Sequence, residues 1–178
     1  RGLGDVYKRQ APNIIMTGSL DRNVSAIKVS PFTTDSSTIF VGTESGSVFK
    51  VTNADTADAN DNSTANWSNI TGSQFLGSVS DIEFGKDENH LFVTFHNYGV
   101  ENIFYSEDGG QSWTEKEGNL PDIPVRCILQ NPLSLNEVII GTELGVWYTK
   151  NFESDNPDWS RANSGMSDVR ITDLDMRD

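Results

Sequence analysis

The fold is decided by the stretch Ser106-Glu107-Asp108-Gly109-Gly110-Gln111-Ser112-Trp113-Thr114, which follows the apolar run Ile103-Phe104-Tyr105. A strand has to end and reverse within these few residues. The Asp108 carboxylate is able to fold back onto the N–H groups that follow it, closing a local turn. Gly109 and Gly110 supply the positive φ that such a turn requires. Trp113 opens the return strand with one large ring to bury.

The surrounding chain repeats. Trp67, Trp113 and Trp159 are spaced by 46 and 46 residues, and so are Ile82, Ile128 and Leu174. Ile27 precedes Ile82 by 55, the excess falling in one polar loop. Thr38-Ile39-Phe40-Val41-Gly42-Thr43-Glu44-Ser45-Gly46-Ser47-Val48-Phe49 parallels Glu137-Val138-Ile139-Ile140-Gly141-Thr142-Glu143-Leu144-Gly145-Val146-Trp147. Both read as a strand, a Gly-Thr-Glu-x-Gly turn and a second strand. The words Met16-Thr17-Gly18-Ser19, Ile70-Thr71-Gly72-Ser73, Glu117-Gly118-Asn119-Leu120 and Ser164-Gly165-Met166 mark four junctions. Four junctions imply three complete units, with the last strand of an earlier unit and the first strand of a later one.

A unit of this length with four short segments matches one blade of a β-propeller, whose repeats run about 40–50 residues. The second unit is read as strands over 79–84, 90–95, 101–106 and 112–116. No window carries an apolar period of 3.6, so helices are expected to be few. A β-helix prefers shorter repeats, and a sandwich has no reason to repeat at a fixed period. The expected fold is therefore all-β: three complete four-stranded blades at about 24–71, 79–116 and 125–162, with the next beginning near 169. Partial blades are expected at both ends. Three whole blades do not close a ring of seven or eight, so the chain is read as a fragment of a longer propeller.

Ser106, Asp108, Gly110, Ser112 and Trp113 form the pattern Ser-x-Asp-x-Gly-x-Ser-Trp, which resembles the Asp-box of bacterial-neuraminidase-type (BNR) repeats. The resemblance covers roughly residues 13–178. It implies a structural box between the third and fourth strands of each blade, as in secreted bacterial propellers, sortilin-type ectodomains and xyloglucan-cleaving hydrolases built of two propellers. The other blades carry worn boxes: Asn151 stands where the Asp would be, and the loop 53–66 replaces the first turn, while Trp67 and Trp159 keep the packing anchor.

Residues 1–10, Arg1-Gly2-Leu3-Gly4-Asp5-Val6-Tyr7-Lys8-Arg9-Gln10, do not fit the repeat. They resemble translated sequencing-adapter read-through and are set aside from fold reasoning. Thirteen basic against 26 acidic residues give a net charge of −13, which argues against nucleic acid and anionic membrane surfaces as partners. The single Cys127 excludes an internal disulfide and is expected to pack as a small apolar residue. No apolar run is long enough for a membrane-spanning helix. Asn23, Asn62, Asn66 and Asn69 begin Asn-x-Ser/Thr sequons, read as coincidences of an Asn-, Ser- and Thr-rich chain.

Candidate sites are few. Residues 55–62 gather carboxylates and amides without the spacing of a calcium loop, so no metal or other cofactor is assigned. His90 and His96 lack a third zinc ligand. Glu44, His96 and Glu143 occupy equivalent second-to-third turns, which emerge on one face, and make a candidate binding rim. Asp81 and Asp173 sit on first strands near the channel; they are the carboxylates to nominate if the chain hydrolyses glycosides, which takes two acids facing each other across a cleft. Among the arginines outside the tail, Arg22, Arg126, Arg161 and Arg170 occupy unlike blade positions and disfavour a sialidase. The leading expectation is a non-catalytic, exported module that binds protein or carbohydrate at the cell exterior and packs against the remaining blades of a longer chain. A two-propeller glycoside hydrolase is the alternative. An assembly factor similar to the plant and cyanobacterial photosystem propellers is a third reading.

Overall fold

The computed structural model describes residues 20, 22–56, 65–162, 164, 165 and 168–176. The tail 1–10, the first junction word and most of the acidic loop 55–62 lie outside the described residues.

Twelve strands are described: β1 (Val24–Val29), β2 (Ile39–Thr43), β3 (Val48–Thr52), β4 (Asn66–Asn69), β5 (Val79–Phe84), β6 (Leu91–Phe95), β7 (Ile103–Ser106), β8 (Thr114–Glu115), β9 (Val125–Gln130), β10 (Val138–Thr142), β11 (Gly145–Thr149) and β12 (Ser160–Arg161). One single-turn 3-10 helix, Ala54–Thr56, is the sole helical element among the described residues. The strands form three antiparallel meanders in the orders β1-β2-β3-β4, β5-β6-β7-β8 and β9-β10-β11-β12. These are three blades of a β-propeller, with strand limits inside those read from the repeat. β8 is shorter than expected because Trp113 leaves the hydrogen-bonded ladder to reach the neighbouring blade.

The blades stack face to face through period-2 patterning. In β6 all five residues are buried, since the middle blade is covered on both sides. Leu91, Val93 and Phe95 join Phe40 and Val48 of the first blade in one core, together with Ile82, Phe104 and Trp113. The alternate residue Phe92 points the other way and packs with Val125, Ile128, Ile140, Phe152 and Trp159 of the third blade. Burial of such aliphatic and aromatic side chains contributes roughly 1.5–3 kcal/mol each.

Two devices set the blade-to-blade distance. On β2, Gly42 faces Val79 of the next blade so closely that a Cβ at 42 would lie 2.5 Å from Val79 Cγ1 and 2.7 Å from its Cβ. Gly141 on β10 repeats the arrangement, with Ile171 Cγ2 at 2.5 Å from the same built position. At the outer ends, the Trp113 indole donates to the Ile70 carbonyl at 2.8 Å, and the Trp159 indole to the Lys116 carbonyl at 3.1 Å. Each indole thus reaches back to the residue just past the outer strand of the preceding blade.

The inner strands share an irregularity. Val24 pairs with Thr43 but Ala26 with Gly42; Val79 pairs with Phe95 but Asp81 with Thr94; Val125 pairs with Thr142 but Cys127 with Gly141. One extra residue bulges at the same place in every blade: Ser25, Ser80 and Arg126. Such bulges increase local twist and redirect a side chain. The Ser80 hydroxyl is 2.9 Å from Thr94 Oγ1 and donates to the Val125 carbonyl at 2.7 Å, tying one bulge to the start of the next inner strand.

Candidate functional site

The turn from Ser106 to Trp113 closes its own hairpin. The Ser106 hydroxyl donates to Asp108 Oδ1 at 2.8 Å and accepts from the Gly110 N–H at 2.8 Å. Asp108 in turn accepts from the Ser112 N–H at 2.9 Å and from the Ser112 hydroxyl at 2.6 Å. Gly109 and Gly110 have φ of 73° and 90°, so a Cβ at either would be strained. These donors, the Ser112 hydroxyl and N–H foremost, hold the Asp108 carboxyl down at about 2. The equivalent turn of the third blade keeps the same wiring with an amide: Thr149 Oγ1 lies 2.7 Å from Asn151 Oδ1, which also accepts from the Asp158 N–H at 2.9 Å. In both hairpins these side-chain bonds tie the turn together.

The three rim residues are positioned by one repeated backbone bond. The N–H of Glu44 donates to Asn23 O at 3.0 Å, that of His96 to Ser78 O at 3.3 Å, and that of Glu143 to Pro124 O at 3.2 Å. Each second-to-third turn is thereby fastened to the residue that leads into its own inner strand. The side chains then diverge. Glu44 accepts from Asn23 Nδ2 at 3.1 Å. Glu143 accepts from Arg126 Nε at 2.8 Å and from Arg170 Nε at 2.8 Å, and Arg126 also donates through Nη2. The Arg126 guanidinium, then Arg170, keeps the Glu143 carboxyl below its ordinary range. His96 lies within the field of Arg126 and Glu143; burial first, then Arg126, lowers its affinity for a proton. Its Nδ1 is buried without a hydrogen-bond partner. His96 and Glu143 therefore belong to one polar cluster with Arg126 and Arg170, while Glu44 is held on its own sheet. Arg126, on a bulge inside an apolar inner strand, is the residue the sequence reading assigned no role. A charge in Val125-Arg126-Cys127 was the available signal.

The nominated acids lie two repeat positions apart, with Cys127 between them. Ala26, Asp81 and Cys127 take equivalent positions on β1, β5 and β9, and Asp173 follows by the same spacing. Asp81 Oδ2 accepts from the Ile128 N–H at 3.1 Å, capping the free inner edge of β9. Burial pushes the Asp81 carboxyl up to about 6, with Glu83 adding to it and Lys28 opposing. Asp173 accepts from the exposed Leu174 N–H at 2.9 Å. Between them the Cys127 thiol is pushed up to about 12, by burial first and the charge of Asp81 second, which makes it an inert packing group. Asp173 lies beyond the intervening strand β9.

Among the described residues, Glu101, Glu115 and Glu117 bring carboxylate oxygens within 4.8 Å of one another. They line an open cavity of about 500 Å³ with Asp122 and Asn156. Burial pushes the Glu117 carboxyl up to about 7, and Glu117 accepts from the Asn102 N–H, as Glu115 does from the Glu117 N–H. Three such oxygens are the donor type a hard cation prefers. Sequence reading missed this convergence because Glu101 and Glu117 meet only when β7 and β8 pair.

No family model matches the chain, and a search of the curated proteins finds no relative. Solved structures do match. An ancestral GH74 enzyme superposes with a TM-score of 0.57 at 15% identity, covering 78% of this chain and 21% of that one. YCF48 from Cyanidioschyzon merolae superposes with a TM-score of 0.55 at 17% identity, covering 77% of this chain and 40% of that one. Both likenesses establish the propeller fold. The chain spans about a fifth and two fifths of the lengths of these two neighbours.

Proposed function

We propose that the chain is a non-catalytic propeller module of the cell exterior, binding protein or carbohydrate through the rim at its second-to-third turns. The observation that carries this reading is the convergence of His96 and Glu143, from turns fastened identically in each blade, with Arg126 of the β9 bulge and Arg170 of the segment after the third blade. The guanidiniums and the His96 ring offer donors, a flat apolar face and a neutral imidazole, which suit hydroxyl- or carboxylate-bearing ligands. Fold alone does not choose between activities, since the two structural neighbours carry different names on one architecture.

A second reading, a two-propeller glycoside hydrolase, draws support from the ancestral GH74 enzyme among the neighbours and from the raised Asp81 carboxyl. Here Asp81 is the proton donor and the second acid is Asp173 or a residue of another blade. Incubating the chain with β-glucan and xyloglucan, alongside Asp81→Asn and Asp173→Asn, separates the two readings. Binding without release of sugar, lost in His96→Ala and Glu143→Gln, supports the rim. Hydrolysis abolished by Asp81→Asn refutes the non-catalytic assignment.

A further inference from the structure

The rim departs from the repeat where the second and third blades meet. Arg126 stands at the bulge where the other inner strands carry Ser25 and Ser80. Arg170 stands where Ser78 and Pro124 lead into β5 and β9. A requirement of the fold recurs in every blade, and this pair of cations does not. Glu143 engages both of them, Oε1 accepting from Arg126 and Oε2 from Arg170. Two guanidinium charges thus face one carboxylate, leaving the cluster one positive charge in excess on a chain of net charge −13. Among the described residues no acceptor meets Nη1 of Arg126 or either Nη of Arg170, whose side chain is 60% exposed. His96, in the field of Arg126, has a buried Nδ1 without a partner, whereas Nδ1 of His90 lies 2.6 Å from Asp87. A buried nitrogen left unpaired calls for a partner from outside the chain. Two residues further along the same turn, Tyr98 is 62% exposed.

We infer, resting on the rim as the binding face, that this cluster is a subsite for one carboxylate on an otherwise uncharged glycan, a uronic acid residue. Arg126 and Arg170 hold the carboxylate, and Tyr98 carries the sugar ring. The unused guanidinium N–H groups suit a carboxylate, which accepts such donors in pairs. His96, kept neutral by burial and by Arg126, has one nitrogen to donate and one to accept, as sugar hydroxyls require. A single ligand carboxylate cancels the excess charge, whereas a polyanion adds charge that the acidic chain repels. An acidic peptide fits less well. Extended peptides dock on a free strand edge or in a groove, and the rim turns are closed on Asn23, Ser78 and Pro124 by their own backbone bonds. The exposed Tyr98 ring offers a flat apolar face with a polar tip at the water boundary, which suits a sugar.

Calorimetric titration compares xylotriose bearing one glucuronic acid with the same oligosaccharide after that acid is reduced to glucose. Loss of the charge-assisted hydrogen bonds weakens the reduced probe by about tenfold or more. Arg126→Gln and Arg170→Gln each weaken the acidic probe by about tenfold and lessen its sensitivity to salt. Lys150→Gln makes the same change of net charge at the exposed end of β11 and leaves that affinity within about twofold. Where a glutamine variant fails to fold, the His96 ring nitrogens of the unaltered chain decide by NMR: their shifts move with the acidic probe and not with the reduced one. Equal affinities for the two probes, both lost in His96→Ala, overturn the carboxylate subsite and leave the rim as a binding face. Binding of neither probe also overturns it, and the β-glucan and xyloglucan incubations then judge the rim separately. Acidic-probe binding that survives both arginine substitutions overturns it, as does a hexapeptide with one Glu that binds tighter than the acidic probe.

Discussion

Gly42→Ala tests the packing between the first two blades directly. Gly42 sits in β2 without positive φ among its constraints, so any penalty comes from space and not from backbone strain. The new methyl would meet Val79 Cγ1 at 2.5 Å and Val79 Cβ at 2.7 Å, distances that force the blades apart or Val79 out of its rotamer. Overpacking of this kind costs about 1–3 kcal/mol. For a chain of this size each kcal/mol lowers the melting temperature by about 2–4 °C, so a loss of about 2–12 °C is expected. Val79→Ala alone removes two buried methyl groups and costs about 1–3 kcal/mol. In the double substitution the added methyl fills the space vacated at 79. The pair is therefore less destabilised than the sum of its parts, by about 1–2 kcal/mol, and a double-mutant cycle in urea measures this coupling. A neutral Gly42→Ala, or strictly additive effects, would refute the close approach as the device that sets blade spacing.

Three other perturbations read out separate features. Trp113→Phe keeps a ring in the core but leaves the Ile70 carbonyl unpaired, and a loss of about 1–2 kcal/mol in urea melts is expected; Trp113→Ala adds the cavity and costs about 3–5 kcal/mol. Asp108→Ala costs about 1–3 kcal/mol through the unpaired Ser112 and Ser106 donors, whereas Asp108→Asn costs less because an amide oxygen still serves, as Asn151 does in the third blade. Because the folded Asp108 carboxyl lies below its unfolded value, its stabilisation is present above about pH 4 and is lost as pH falls toward about 2, and Asp108→Asn removes that acid dependence. Asp81 has the opposite sign: its folded carboxyl is raised from 3.8 to about 6, so this group stabilises the fold in acid and that benefit declines as pH climbs through this window. Melting temperatures of Asp81→Asn between pH 4 and 7 should show a flatter profile than the parent chain.

The architecture was legible because it is periodic. Trp113 and Trp159, and Ile82 and Ile128, recur at a spacing that only stacked units explain, and each pair occupies matching places in successive blades. Ile27 shares the periodicity but not the burial, since the sequence encodes what a residue needs and not whether a neighbour is present to provide it. Sites were less legible for a related reason. Glu143 was visible as a turn residue, but its engagement with Arg126 and Arg170 depends on a bulge in β9 and on the segment that follows the third blade. Glu101, Glu115 and Glu117 carry no motif in sequence and converge only through strand pairing. Asp81 was singled out for its location near the channel; the Ile128 N–H that it accepts belongs to another blade and leaves no trace in local sequence.

The extra residue in each inner strand makes the central mouth a place where identity is free to change. Ser25, Ser80 and Arg126 stand outside the ladder register, so their side chains are set by their own contacts, Ser80 on the Val125 carbonyl and Arg126 on Glu143, and not by strand pairing. Serine in two blades and arginine in the third already display that latitude. The side chain at this one position can therefore differ from blade to blade while the paired residues on either side keep their register.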